Sequence, residues 1–119
     1  MSRTIIAIVD DLFFASKIRG TAEHVGTRVL FVKSITEAME KAREDAVALI
    51  IADLNARCCD AVDLARALKG DDNLKAITLL GFFSHVQVEL QQAALAAGFD
   101  RVIPRSAFTK SLPQILAGN

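Results

Sequence analysis

The sequence predicts an α/β fold, a three-layer sandwich with a parallel sheet at its centre and helices on both faces. Three observations lead there. Five short runs are apolar almost throughout instead of alternating, the pattern of strands covered on both sides. Segments with apolar residues at three- and four-residue spacing lie between those runs. The two patterns also alternate in a steady rhythm along the whole chain, as in consecutive βαβ units.

The first strand is expected over Thr4–Val9, "TIIAIV", and runs straight into Asp10 and Asp11. Phe14, Ile18, Ala22 and Val25 then make the first helical stripe. "RVLFV", Arg28–Val32, is the second strand. The helix after it opens at "SITE", where Ser34 and Glu37 fit a capping box, and carries Ile35, Ala38, Met39 and Ala42 on one stripe. "VALIIA", Val47–Ala52, is the third strand and leads into Asp53. Ala61, Leu64, Ala65 and Leu68 form the next stripe, stopped by Gly70. "AITLLGF", Ala76–Phe82, is the fourth strand. Leu90, Ala93, Ala94 and Ala97 follow as a helical stripe stopped by Gly98. "RVI", Arg101–Ile103, is the fifth strand. The closing stretch "SAFTKSLPQIL" is helical in composition, but Pro113 breaks it or forces a restart near Ser111.

The chain has 119 residues, 52% of them hydrophobic, which suits a single domain over residues 1–119 built on one core. Lysine plus arginine and aspartate plus glutamate number 14 each, so the basic footprint of a nucleic-acid module is absent. The longest wholly apolar run, Ala46 to Ala52, falls far short of the ~20 residues that span a bilayer. The first apolar run stops at Asp10, too early for a secretory leader, so a cytoplasmic location is expected, with neither nucleic acid nor membrane as partner. Cys58 and Cys59 are too few and too close for a disulfide framework, and two reduced thiols in a loop are the plain expectation.

In doubly wound sheets ligands collect beyond the carboxyl ends of the strands. Asp10 and Asp11 follow the first strand, Asp53 the third, Phe83, Ser84 and His85 the fourth, and Arg105 the fifth. Three carboxylates on one rim repel and push at least one pKa upward. A hard cation such as Mg²⁺ relieves that repulsion, and oxygen ligands without His or Cys suit it. An aspartate at a strand end is also a common helix N-cap, and Asp11 fits that role for the helix carrying Phe14. Phe13, Phe14, Phe82 and Phe83 are expected as core and site-covering bulk. His85 is expected as a loop residue.

"AIVDD", "LIIADLN" with Asp60 beyond it, and "AALAAGFDRVIPRS" together resemble the receiver domain of bacterial two-component response regulators, in a chemotaxis-regulator-like but atypical form. The resemblance covers nearly the whole chain. It implies a flavodoxin-like, doubly wound, five-stranded parallel sheet of order 2-1-3-4-5. It implies that Asp53 is the phospho-acceptor, taking a phosphoryl group from a phosphohistidine of a sensor histidine kinase or phosphotransfer protein. It implies that Asp10, Asp11 and Asp53, with the backbone carbonyl of Asn55, hold Mg²⁺. The output then passes to a downstream protein target, and such domains also form homodimers. The implied role is a stand-alone signalling module, not an enzyme.

The chain departs from that pattern at four places. The family's Thr or Ser at the end of the fourth strand is Phe83 here, with Ser84 one residue later as a candidate phosphate-binding hydroxyl. The family's Lys after the fifth strand is Arg105, whose planar fork grips phosphate differently from an ammonium. Ser106 replaces the usual proline after it, so a trans bond is expected there. The aromatic switch position of the fifth strand is Val102. These departures favour an alternative, a pseudo-receiver that acts by protein binding without phosphorylation. A small flavodoxin-like enzyme or nucleotide binder would need a phosphate-cradling glycine loop after the first strand, and "VDDLFF" has none.

Overall fold

The structure, a computed structural model, describes residues 3–118. Its elements are β1 (Thr4–Ile8), α1 (Leu12–Val25), β2 (Arg28–Phe31), α2 (Ile35–Glu44), β3 (Val47–Asp53), α3 (Ala61–Lys69), β4 (Thr78–Phe83), α4 (Val88–Ala97), β5 (Arg101–Pro104), α5 (Arg105–Lys110) and α6 (Leu112–Ala117). All five strands run parallel in the order β2-β1-β3-β4-β5. The expected flavodoxin-like sheet is therefore the observed one, with strand ends displaced by a residue or two.

Two apolar clusters sandwich the sheet. Alternate strand residues Ile6, Ile8, Ile50, Ala52 and Leu79 meet α2, α3 and α4 through Ala38, Leu64, Leu68 and Ala94. The intervening residues Ile5, Ala7, Leu49, Ile51, Leu80 and Phe82 meet α1, α5 and α6 through Phe14, Ile18, Phe108, Leu112 and Leu116. Each face belongs to one parity of every strand because successive side chains point to opposite sides. Phe14, Phe82 and Phe108 form an aromatic nucleus in the second cluster, with Phe82 and Phe108 stacked at 4.6 Å between ring centroids.

Helix ends follow local chemistry. Ser34 accepts the Glu37 amide, while the Glu37 carboxylate reaches back to the amide of Lys33, one residue before the usual capping-box partner. Gly26 ends α1 at φ 76°, a left-handed conformation that favours glycine. Pro113 divides the last helical stretch as expected, with Ser111 between α5 and α6. The Thr27 hydroxyl donates a buried 2.8 Å bond to the carbonyl of Leu116, fastening the start of β2 to α6. At Gly81 a Cβ would lie 2.9 Å from Leu54 Cδ2 and 3.0 Å from the Phe99 ring, so the sheet and its covering side chains close over a bare backbone there.

Three expectations need correction. Phe13 is 90% exposed, because α1 turns Phe14 and Ile18 toward the sheet and leaves Phe13 on the outer side. Ala93 is exposed, since α4 buries Ala94 and sets Leu90 and Ala97 beside it. The outer strands β2 and β5 are only half covered, the consequence of lying at the sheet edges. No helix among the described residues is long and apolar enough to cross a membrane.

Candidate functional site at the carboxyl rim

The sheet order places β1 beside β3 and β3 beside β4, so the residues following these strands share one rim. Strand parity then decides which way each acid leans. Asp10 follows Ile6 and Ile8 toward the α3 side. There its Oδ2 accepts the amides of Arg57 and Cys58 in the loop after β3. Burial works against its charge, but the two amides and Lys33 outweigh it and hold the carboxyl below its ordinary value.

Asp11 leans the other way. Its Oδ1 accepts the Phe14 amide at 3.1 Å and caps α1, and its Oδ2 lies 3.3 Å from Arg105 Nη2. The helix amide first, and then Arg105, draw this carboxyl below its usual range. The N-cap role and the rim role thus fall to the same residue.

Asp53 closes β3 between them. Its Oδ1 accepts the Asn55 amide at 2.8 Å. Burial pushes its carboxyl above the ordinary value, the Asn55 amide and Arg105 pull it back, and Asp10 and Asp11 push it up again. The expected mutual repulsion of the three acids is therefore felt at Asp53, although desolvation is its larger cause.

Arg105, the first residue of α5, supplies the rim's cation. It stacks over the Phe14 ring at 4.0 Å, reaches Asp11, and places Nη1 at a long 3.5 Å from Ser84 Oγ. Ser84 is exposed and turned to this rim, whereas Phe83 packs into the cluster under α4. Asn55 holds the adjoining loop: its Nδ2 donates to Gln87 Oε1 at 2.7 Å and its Oδ1 receives the Ser84 amide at 3.3 Å. Peptide bonds among the described residues are trans throughout, that before Ser106 included, as expected. Val102 is half-buried in the cluster that holds Phe83.

Cys58 and Cys59 are free thiols with sulfurs 3.0 Å apart, Cys58 exposed and Cys59 buried. Burial, Cys59 and Asp10 raise the Cys58 thiol far above its usual value, so it stays protonated. Asp60, part of the resembling pattern, caps α3 by accepting the Asp63 amide. His85 lies exposed in the loop after β4.

The donor chemistry of the rim, carboxylates open to water, suits a hard cation. Among the described residues no three His, Cys, Asp or Glu side chains gather tightly enough to hold a metal ion by themselves. Both oxygens of Asp11 are engaged, by the helix cap and by Arg105, whereas Asp10 and Asp53 each accept through one oxygen.

Three features of the rim carry no short-range sequence signal. These are the Arg57 and Cys58 amides on Asp10, the Phe14 ring beneath Arg105, and Gln87 on Asn55. Backbone donors are invisible to residue identity, and the other contacts join segments distant in the chain.

No family model matches the chain, and no curated protein matches it in sequence. Its fold does match solved structures over nearly its whole length. The chemotaxis response regulator CheY4 of Vibrio cholerae superposes with a TM-score of 0.82 at 19% identity, covering 98% of this chain and 97% of that one. The phosphorylated cyanobacterial phytochrome response regulator RcpA gives a TM-score of 0.80 at 23% identity over 99% of this chain and 91% of that one. The receiver domain of the Pseudomonas aeruginosa sensor histidine kinase PA1611, which holds a magnesium ion in its active-site cleft, gives 0.80 at 16% identity over 100% of both chains. In strand order, helix placement and extent, the chain has the fold of the CheY-like receiver domains of two-component response regulators.

Proposed function

We propose that this chain is the receiver of a two-component phosphorelay, with Asp53 as phospho-acceptor. The observation that carries this reading is the position of Asp53. It ends a central strand, half-buried, with Asp10 and Asp11 close enough to raise its pKa and Arg105 close enough to lower it. A carboxylate so placed is a nucleophile between one cation and two acids. In the transfer, an Asp53 oxygen bonds to the phosphorus of a phosphohistidine as the P–N bond breaks, and the departing imidazole nitrogen keeps that electron pair and takes a proton from solvent. Arg105 offers its guanidinium to the phosphoryl oxygens, and Ser84 offers a hydroxyl from the same side. Asp10 and Asp53, with the Asn55 carbonyl, would hold Mg²⁺, and Asp11 joins them once it releases Arg105. Bound there, the ion offsets charge on the transferring group.

The partners that follow are a sensor histidine kinase or phosphotransfer protein upstream and a protein target downstream, in the cytoplasm, with a homodimer as one assembly. The chain would then signal and not catalyse. Support comes from the fold shared with CheY4, from the phosphorylated state of RcpA and from the magnesium ion of the PA1611 receiver.

The Arg105–Asp11 pair and the half-buried aromatic at Phe83 favour a second reading, a pseudo-receiver that binds partners without phosphate. Incubation with Mg²⁺ and beryllofluoride, followed by amide NMR, separates the two. Saturable shifts at Asp53, Asn55 and Ser84 that vanish in Asp53→Asn support phosphorylation. A spectrum that ignores both reagents leaves the pseudo-receiver.

A further inference from the structure

The opposite edge of the sheet, where the strands begin, carries a second candidate site. A cavity of about 190 Å³ opens there between the sheet and α6. Strand parity builds it. Arg3 lies two residues before Ile5, Thr78 two before Leu80, and Arg101 two before Ile103, and all three partners belong to the cluster on the α1 and α6 side. Leu49, Leu80 and Ile115 supply its apolar floor.

Two positive charges flank this cavity, the exposed Arg101 and the half-buried Arg3. Arg3 and Arg101 both line it, and among the described residues neither side chain has a hydrogen-bonding or carboxylate partner. The Nε of Arg3 is buried without a partner. That side chain lies flat along Gly118, where a Cβ would sit 2.5 Å from Arg3 Nη1, so the guanidinium is held against the wall by close packing. An anion in the cavity offsets both charges, and the planar fork suits a carboxylate. The apolar floor adds a preference for a short hydrocarbon portion.

We propose that this cavity binds a small monocarboxylate with a short aliphatic tail. Arg3 and Arg101 grip the carboxylate, the Thr78 hydroxyl donates to it, and the tail rests on Leu49, Leu80 and Ile115. The site is separate from the acidic rim, and its binding does not depend on Asp53.

The test is a titration with n-butyrate at constant ionic strength, followed by amide NMR, with n-butanol and inorganic phosphate as comparison probes. Butyrate is expected to shift Thr78, Arg101 and Ile115 saturably and to leave Asp53 and Asn55 in place. Arg101→Gln is expected to weaken the binding at least tenfold, Arg101→Lys less, and Thr78→Val severalfold. Absence of saturation, equal response to butanol, tighter binding of phosphate, or full affinity in both Arg101→Gln and Thr78→Val would overturn the proposal.

Discussion

Arg105 and Asp11, separated by 94 positions in sequence, meet at 3.3 Å on the carboxyl rim, with the Phe14 ring beneath the guanidinium. The pair joins the start of α1 to the start of α5 and gives the rim its own cation. Replacing Arg105 with Ala removes a positive charge that favours the ionised forms of Asp11 and Asp53. Both carboxyls should then titrate at higher pH than in the unaltered protein, as read from carboxyl carbon NMR. Unmoved titrations would mean that Arg105 is screened from the acids.

Asp53 should cost stability when ionised. Its folded pKa lies above the ordinary value, so stability is fully present below the unfolded pKa of about 4 and declines as pH rises through the folded value. Asp53→Asn keeps the acceptor for the Asn55 amide and removes the charge. In metal-free buffer at neutral pH it should unfold at higher urea, by up to about 1 kcal/mol given the partial exposure. A loss of stability would point to an ionic partner for Asp53.

Asp10 has the opposite sign. Its lowered pKa supports the fold above the unfolded value and that support is lost as pH falls through the folded one. Its chief service is to the loop after β3, through the amides of Arg57 and Cys58. Asp10→Ala should speed hydrogen exchange at those two amides while leaving α2 unchanged. Equal protection in both proteins would show that the loop holds itself.

The aromatic residues separate into costly and free positions. Phe82 is fully buried against Phe14 and Phe108, so Phe82→Ala should lose about 3–5 kcal/mol in chemical denaturation. Phe13→Ala should stay within about 0.5 kcal/mol, because the ring touches little of the core.

Gly81 supplies a packing test without charge. Gly81→Ala drives a methyl into Leu54 and Phe99, at 2.9 and 3.0 Å, and should cost about 1–3 kcal/mol with shifts confined to those neighbours. An unchanged midpoint would mean that Leu54 and Phe99 yield freely.

Much of this molecule was legible in its sequence. The uninterrupted apolar runs of β1, β3 and β4 marked the inner strands, and Ser34, Gly98 and Pro113 marked helix ends, since these signals are local. The edge character of β2 and β5 was not legible, because burial there depends on which strand lies outermost. Asp10, Asp11, Asp53, Ser84 and Arg105 share the rim because each follows the carboxyl end of a parallel strand, a position that the sequence shows. Their partners were not, because the loop amides, the Phe14 platform and Gln87 depend on three-dimensional closure. Phe13 was misplaced for a related reason: adjacent aromatics differ by about 100° around the helix, and only the axis orientation decides which faces inward.

The bond from the Thr27 hydroxyl to Leu116 bears on how the chain is made. The α1 face of the core needs Phe108, Leu112 and Leu116, and β2 is fastened to the same last helix. During synthesis that half cannot close while residues 108–116 are still inside the ribosomal exit tunnel. Until they emerge, Ile5, Ala7 and Phe82 have only α1 as cover, and a nascent chain stalled short of Phe108 should expose apolar surface on that side of the sheet.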